Sequence, residues 1–200
     1  MRYEVMGFCG FKEAMLGTML SYGKTSLEDL LAYPNIEPSV EERFQELAEK
    51  LVKAGPGHDK FLEQIQYWLA IQAPLFWWKQ FDTYRVGISK SSESTMHKSW
   101  KNGLTDLMFE SEVYPCTIDY LNRDIHRYHV VEDPEIKKML ERKIVSNLPD
   151  GYLQTRMVNI NAKALRNIYL QRKDHKLDQW RNFCLWLKSI PYGDLITMEK

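Results

Sequence analysis

Long helix-forming segments separated by a few short strand patterns are the feature that most constrains how this chain can fold. Residues 117–128, 134–145, 162–172 and 176–190 carry helix-forming patterns, whereas residues 3–9, 64–72 and 152–160 are typical of strands. Residues 89–94 are polar and poor in helix formers, so we expect a loop there. Long helices beside a few separated strands indicate the α+β class.

Local signals predict where the remaining helices begin and end. Residues 12–21 should form a helix after the first strand. Ser39, followed by two acids, is suited to cap the next helix, which Gly55-Pro56-Gly57 should end. Pro74 is suited to the first turn of a further helix that carries several aromatic side chains.

Composition narrows the class of protein. The chain has 200 residues with 27 basic and 27 acidic side chains, and this balance argues against a nucleic-acid binder that relies on phosphate neutralisation. No segment approaches the roughly 20 apolar residues that span a bilayer, and the first residues lack the layout of a signal peptide. Cys9, Cys116 and Cys184 are odd in number and scattered. We therefore expect free thiols and a cytoplasmic protein, in the host cytoplasm if the protein is viral.

Three segments, in order along the chain, carry the pattern of a known family. They are residues 57–64 (GHDKFLEQ), residues 73–81 (APLFWWKQF) followed by Thr83-Tyr84-Arg85, and residues 161–172 (NAKALRNIYLQR) with Gln179-Trp180 further on. These segments resemble the Gly-His-x-x-x-x-Glu-His, Gln-x-x-Arg-His-Arg and Asn-Ala-Arg-Ser-Leu-x-Asn-Phe-x-x-Leu-Arg motifs of the flavin-dependent thymidylate synthases. The chain is similar to that family from about residue 57 to residue 180.

The resemblance implies one domain over residues 1–200, with the fold of the thymidylate synthase-complementing proteins, a small sheet packed with long helices. In that family FAD lies at the interface of a homotetramer, and dUMP stacks over the flavin ring. Methylenetetrahydrofolate supplies the one-carbon unit, and NADPH reduces the flavin. The resemblance therefore implies FAD-dependent methylation of a deoxyuridine monophosphate-type nucleotide in a homo-oligomer without nucleic acid, membrane or metal.

The resemblance also assigns roles to individual residues. Arg172 falls on the arginine that faces the uracil carbonyls, where a planar guanidinium stabilises negative charge on the ring, so it is the expected catalytic residue. Cofactor-binding roles fall on His58, Tyr84, Arg85, Asn161 and Asn167. Substrate-binding roles fall on Gln80, Ser89, Ser91, Glu93, Ser94, Lys143 and Arg172.

Three positions depart from the family pattern. Thr83 and Tyr84 stand where arginine and histidine are expected. In the family the second motif continues as x-x-Ser-x-Asn-x-x-Ser-x-Arg, and Met96 takes the place of its last arginine. These changes remove charge-assisted hydrogen bonds worth roughly 1.5–3 kcal/mol each. Lys79, Lys90, His97 and Lys98 flank the same loop and are candidates to replace the lost charge.

Several residues allow a structural interpretation beside the functional one. Asn161 can cap the helix that follows it, contact flavin, or do both. The aromatic group Phe76, Trp77, Trp78 and Phe81 is more typical of a core than of a stacking platform. His126 and His129 have metal-like spacing but no clearly placed acidic or cysteine partner, so we expect surface histidines. The serines at 89–94 form either a plain flexible loop or a set of hydroxyls for phosphate or ribose.

Two further functional hypotheses stay open beside the enzyme. The first is a catalytically degenerate nucleotide-binding protein that sequesters or senses a nucleotide, as compact virus-encoded proteins do, and the rewritten Thr83-Tyr84-Arg85 segment motivates it. The second is a purely structural α+β protein, which requires the three motif matches to be accidental.

Overall fold

The computed structural model describes residues 1–32, 38–95 and 100–199, with only the backbone at 38–41. Four strands form one sheet in the order β1-β2-β4-β3. The strands are β1 (Arg2–Cys9), β2 (Gln66–Pro74), β3 (Ile88–Ser92) and β4 (Leu153–Asn161). The helices are α1 (Phe11–Ser21), α2 (Leu27–Leu31), α3 (Pro38–Ala54), α4 (Leu75–Phe81), α5 (Pro115–Val130), α6 (Pro134–Ser146), α7 (Ala162–Arg172), α8 (Asp178–Trp186) and α9 (Gly193–Thr197).

Backbone hydrogen bonds at the strand ends show antiparallel pairing. Ala162 N donates to Ile65 O over 2.9 Å, and Leu75 N donates to Tyr152 O over 3.1 Å, so β2 and β4 run in opposite directions. Between β4 and β3, Asn161 N donates to Gly87 O at one end and Glu93 N to Thr155 O at the other. A small antiparallel sheet with long helices confirms the predicted α+β class.

The predicted loop at residues 89–94 is wrong over most of its length, because β3 occupies Ile88–Ser92. This strand lies at the edge of the sheet and pairs with β4 alone. Its polar side chains carry no apolar alternation, so only the backbone pairing with a distant segment makes it a strand.

Helix positions agree with the local signals, with differences at some ends. α7 spans the predicted residues 162–172, and Pro74 takes the N-cap position of α4 directly after β2. α8 is shorter than predicted and ends at Trp186, and the short α2 and α9 were not predicted. The Ser39 side chain, together with Met96, His97 and Lys98, lies outside the described residues.

The chain divides into two compact units. The first comprises Met1–Glu4, Ala70–Thr83 and Lys90–Met157, and the second Val5–Leu69, Tyr84–Ser89 and Val158–Lys200. The single domain expected from the sequence stays a prediction. None of the helices in the described part of the chain is long and apolar enough to cross a membrane.

The first unit has a core of aliphatic and aromatic side chains. α5 packs against α6, and the residues between them include Trp100, Leu121, Ile125 and Ile144, all buried. Elsewhere in this unit the aromatic group of α4 is buried at Trp77, Trp78 and Phe81, while Phe76 is half-buried. The core interpretation of those three aromatics is confirmed.

The second unit is built around α7. This helix packs against α8, α9 and the 3-10 helix Lys60–Glu63, and it buries Leu165 and Ile168. α1 packs against α3 and against the same 3-10 helix. α7 is thus held on several sides, which makes it a rigid support for the side chains that it carries.

Candidate functional site

The start of α7 is set by Asn161 and Gly87. The Asn161 Oδ1 accepts from Ala164 N over 2.8 Å, so the predicted capping role is confirmed. Asn161 N also donates to Gly87 O over 3.1 Å. Gly87 has φ +70°, and a Cβ there would overlap the Asn161 side-chain amide. Only glycine therefore permits this close approach.

The last turn of α7 presents Arg172 to Tyr84. Arg172 Nε donates to Tyr84 Oη over 2.8 Å, and the guanidinium carbon lies 5.6 Å from the centre of the Tyr84 ring. The same carbon lies 4.9 Å from the centre of the Trp180 ring of α8. The guanidinium therefore lies against two aromatic faces, in a direction set by the tyrosine hydroxyl.

A chain of side-chain hydrogen bonds extends this pair along the exposed face of α7. Tyr84 Oη donates to Gln171 Oε1 over 3.2 Å, and Gln171 Nε2 donates to Asn167 Oδ1 over 2.8 Å. The structure therefore brings together three predicted site residues, Tyr84, Asn167 and Arg172, through Gln171. We call these four residues the α7 cluster.

Two titratable side chains lie near the α7 cluster. His175 is half-buried, with its ring centre 6.4 Å from that of Trp180, and burial together with Arg172, Lys176 and Arg181 lowers its pKa. Cys184 is buried on α8, and burial raises the pKa of its thiol to about 12. Cys184 is therefore a neutral thiol at physiological pH, whereas His175 binds a proton less readily than an ordinary histidine.

An ion pair and several hydrogen bonds from charged side chains hold the N-terminal half of α7 in place. Lys163 forms an ion pair with Asp59, whose side chain is buried beside the 3-10 helix. Arg166 is buried, and its Nη1 donates to three carbonyl oxygens of residues 195–198 at 2.6 to 3.3 Å. Burial lowers the pKa of Arg166, with Asp59 opposing this effect.

His58, predicted to bind cofactor, is exposed at a cavity whose lining includes no residue of the α7 cluster. It lines a cavity of about 320 Å³ with Thr18 and Ser21 of α1 and with Gln64. Gln64 is the residue that replaces the family's final histidine. No described contact joins His58 to the α7 cluster. The cofactor role of His58 stays a prediction.

Arg85 is exposed in the segment that leads from Tyr84 into β3, and Ser89 is exposed on β3 itself. Both belong to the same compact unit as α7. Their exposure makes both side chains accessible to a ligand, and their predicted roles remain predictions.

In the first unit, Asp82 forms ion pairs with two cations, two residues after the predicted substrate residue Gln80. Lys90 Nζ lies 2.6 Å from Asp82 Oδ1, and Arg156 Nη1 donates to both carboxylate oxygens over 2.9 and 3.0 Å. Burial alone would raise the pKa of Asp82, but the hydrogen bonds from Lys90 and Arg156 outweigh it and lower the pKa. Lys90 thus already serves an internal ion pair, as does Lys79 with Asp150.

Thr83 uses its hydroxyl within its own turn. Its Oγ1 donates to Gln80 O over 2.7 Å. The residue that replaces the family's arginine is therefore a turn-stabilising residue here, and it supplies no charge to a ligand.

The predicted substrate residues Ser91, Glu93 and Ser94 lie on and just after β3, and all three are exposed. Glu93 has a structural role, because its Oε2 accepts from Thr155 N over 3.2 Å and its carbonyl accepts from Gln154 Nε2 over 2.8 Å. Ser91 belongs to the strand, whereas Ser94 follows it. These positions form the exposed edge of the sheet and its continuation.

Lys143 lies on α6, and its Nζ is 2.6 Å from Asp124 Oδ2 on α5. Asp124 is buried, and Arg127 Nη1 lies 3.9 Å from its other oxygen. Together with Tyr120 and Asn147 these residues line a cavity of about 530 Å³. Lys143 thus stands at a cationic cleft between two helices, and its contact with phosphate stays a prediction.

The histidines with metal-like spacing lie on the exposed surface of α5. His129 Nε2 is 2.7 Å from Lys101 O, which is a local structural contact. Within residues 1–32, 38–95 and 100–199, no three His, Cys, Asp or Glu side chains are grouped in a way that could hold a metal ion.

Sequence reasoning missed Gln171, His175 and Arg166. Gln171 directly precedes Arg172 within the quoted motif, and His175 follows Arg172 three residues later, so attention to the neighbours of Arg172 would have included both. The sequence around Arg166 gives little indication of its burial, because an arginine in a helix is usually exposed. Only the packing of α9 against α7 shows that Arg166 is buried.

The class of fold is that of the flavin-dependent thymidylate synthases, which confirms the resemblance at the level of structure. Two crystal structures of flavin-dependent thymidylate synthase ThyX from Helicobacter pylori, each with FAD and dUMP, superpose with TM-scores of 0.67 and 0.68. In both cases the match covers 100% of this chain and 98% of the neighbour at 13% sequence identity. The chain matches no family model and no curated protein sequence.

Proposed function

We propose that this protein transfers a one-carbon unit to a deoxyuridine monophosphate-type nucleotide with FAD as its cofactor. The proposal rests on the position of the Arg172 guanidinium at the end of α7. Tyr84 holds this guanidinium by a hydrogen bond, and the Trp180 ring of α8 lies against it. A fork of donors in this position suits the carbonyl oxygens of a pyrimidine, and it can stabilise negative charge that develops on the ring. The full-length match to ThyX structures that contain FAD and dUMP supports the same assignment.

The donor set of the second unit suits FAD. Asn161 uses its Oδ1 in the helix cap and is buried against Gly87, whereas Asn167 and Gln171 carry exposed amides that bond to each other. Amide groups of this kind match the alternating donors and acceptors at the edge of a flavin ring. FAD, when bound, would supply hydride chemistry. We assign cofactor contacts to His58, Tyr84, Arg85, Asn161 and Asn167.

The remaining roles follow from the same proposal. Gln80, Ser89, Ser91, Glu93, Ser94 and Lys143 would contact the nucleotide, with Lys143 and the serines directed at phosphate and ribose. Methylenetetrahydrofolate and NADPH would act as co-substrates, and the working assembly would be a homotetramer in the cytoplasm. A homotetramer would allow residues of different subunits to complete one site.

The absorption spectrum of the purified protein, before and after incubation with FAD, is the first test. We expect bound flavin, NADPH oxidation, and tritium release from dUMP labelled at the ring position that receives the carbon. Arg172→Gln should lower tritium release by roughly 10²-fold, since it removes a charged donor from the reacting ring. Arg2→Gln, on an exposed arginine of β1, is the matched control. A protein that neither takes up FAD nor releases tritium would contradict the proposal.

A second candidate function, nucleotide binding without turnover, is favoured by one specific contact. The family's histidine is replaced by Tyr84, whose hydroxyl is engaged by Arg172 and Gln171 rather than offered as a titratable base. Calorimetry against a panel of pyrimidine nucleotides distinguishes the two. Binding without FAD uptake or tritium release would establish the binding protein, whereas turnover would exclude it.

A further inference from the structure

One face of α7 holds the C-terminal segment of the chain. Arg166, Tyr169 and Lys173 are spaced three and four residues apart, so their side chains lie on one side of the helix. Arg166 binds the backbone carbonyls of residues 195–198, as described above. The other two side chains contact Glu199. All three thus engage the segment that ends α9 and follows it.

The Glu199 carboxylate is bound much as a small ligand would be. Its Oε2 lies 2.6 Å from Lys173 Nζ, and its Oε1 accepts from Tyr169 Oη over 3.4 Å. The hydrogen bond between Lys173 and Glu199 raises the pKa of the ammonium and lowers that of the carboxyl. An anion with two acceptor oxygens is therefore accommodated at this position.

The cleft around Glu199 contains cations besides Lys173. Glu199 lies in a cleft of about 330 Å³ between α7 and α8, whose lining also includes Lys173, Arg181 and Lys188. Asp174 is the other acid of the lining. Arg181 also pairs with Asp178 and donates to the carbonyl oxygens of His175 and Lys176. With the Glu199 carboxylate displaced, the Lys173 and Lys188 ammonium groups and the Tyr169 hydroxyl would face the cleft, and these donors suit a ligand with several acceptor oxygens.

We propose that this cleft between α7 and α8 is a binding site for a dianionic phosphate group, and that Glu199 is its internal competitor. The site is formed by Lys173, Lys188 and the Tyr169 hydroxyl, and Arg181 lies in the same lining. Its occupant is either free phosphate or the phosphate of a small ester. The proposal is independent of the proposed enzymatic function, since none of these residues belongs to the α7 cluster.

Competition by the tethered carboxylate predicts modest affinity in the native chain. The Lys173–Glu199 pair is partly exposed, so it holds weakly, but a carboxylate on a short tether acts at an effective concentration on the order of millimolar. An external phosphate must therefore exceed that concentration or bind more tightly. Removing the carboxylate charge should release the site.

The test is a titration of the full chain with potassium phosphate, followed by the amide signals of residues 173, 188 and 199 in nitrogen-15 spectra. Potassium chloride keeps the ionic strength constant. We expect Glu199→Gln to strengthen phosphate binding by about fivefold, and Lys173→Gln to weaken it by a similar factor. A parallel titration with glycerol phosphate distinguishes free phosphate from a phosphate ester as the better ligand.

Lys176→Gln is the matched control, because Lys176 is exposed and does not line the cleft. It should leave the phosphate affinity unchanged. Equal weakening by Lys176→Gln and Lys173→Gln would overturn the proposal, as would a Glu199→Gln protein without saturable shifts. Should Lys173→Gln fail to fold by circular dichroism, Lys188→Gln serves in its place with the same expected weakening.

Discussion

Arg172 Nε donates to Tyr84 Oη over 2.8 Å, although 88 residues separate the two side chains along the chain. The tyrosine hydroxyl in turn donates to Gln171, the neighbour of Arg172 on α7. One hydroxyl therefore links the segment before β3 to two consecutive residues of the helix. This relationship fixes the direction of the guanidinium on which the proposed function rests.

Tyr84→Phe should loosen Arg172 while keeping the aromatic ring. The lost hydrogen bond to a charged group should lower the free energy of unfolding by about 1–1.5 kcal/mol, and nucleotide affinity should fall by roughly tenfold. Urea denaturation and calorimetry with dUMP measure the two effects. Tyr114→Phe, on an exposed tyrosine directly before α5, should change neither. An unaltered dUMP affinity in Tyr84→Phe would show that the hydroxyl does not direct the guanidinium.

Gly87→Ala should destabilise the protein more than an alanine at another left-handed glycine. A Cβ at Gly87 meets the Asn161 side chain, whereas a Cβ at Gly23, with φ +63°, meets nothing within 4 Å. Backbone strain should cost about 1 kcal/mol at both positions, and the overlap should add about 1–3 kcal/mol at Gly87. Thermal and urea unfolding of the two variants give the difference. Equal losses would mean that the Asn161 cap tolerates displacement.

Arg166→Leu should expose the cost of removing one donor from three carbonyl oxygens, two of which accept from Arg166 in buried contacts. We expect a loss of about 3 kcal/mol in the free energy of unfolding, because hydrogen bonds to a charged donor are replaced by none. Arg166→Lys keeps the charge and should recover part of this loss. Arg123→Leu, on the exposed surface of α5, should stay within about 0.5 kcal/mol of the native protein. A stable Arg166→Leu protein would show that α9 docks without this contact.

His175 should make stability fall at mildly acidic pH. Its pKa is lowered in the folded protein by burial, Arg172, Lys176 and Arg181, so the unfolded chain binds its proton more readily. Stability should therefore decline as the pH falls below about 6.5, the ordinary histidine pKa. Urea denaturation at pH 7.5 and 5.5 should show a smaller decline in His175→Gln. His126→Gln, an exposed histidine, serves as control, and an equal decline in both variants would exclude His175 as the cause.

The three cysteines should differ in reactivity. Cys9 and Cys116 are exposed, whereas Cys184 is buried with its thiol pKa raised to about 12. Because the thiolate is the reactive species, the native protein should release two equivalents of thionitrobenzoate quickly from Ellman's reagent. The third should appear only in denaturant. Three fast equivalents from the native protein would contradict the burial of Cys184.

The secondary structure that depends on local chemistry could be predicted closely. Asn161 supplies a cap and the following residues repeat apolar side chains at helical spacing, so α7 was predicted with both of its ends. The strand before it was predicted from its alternation to within one residue at either end. These signals lie within a few residues of the element that they determine.

The sequence could predict which residues belong to the candidate site, but not how their side chains contact one another. The motif matches assigned Tyr84, Asn167 and Arg172 to one site, and the structure joins them. No local pattern indicated that Gln171 would connect them, since its partners come from a neighbouring turn and from a distant segment. The same holds for Thr83, whose hydroxyl is used by its own turn.

The amino-acid sequence by itself determined the approximate positions of the longer helices, which aromatics of α4 enter the core, and which residues could carry the chemistry. Tertiary structure alone decided that residues 88–92 form an edge strand, that Arg166 is buried, and that Tyr84 directs Arg172. The physical reason is that helix caps and apolar periodicity act over a few residues. Strand pairing, burial of charge and side-chain hydrogen bonds depend instead on segments that meet only when the chain has folded.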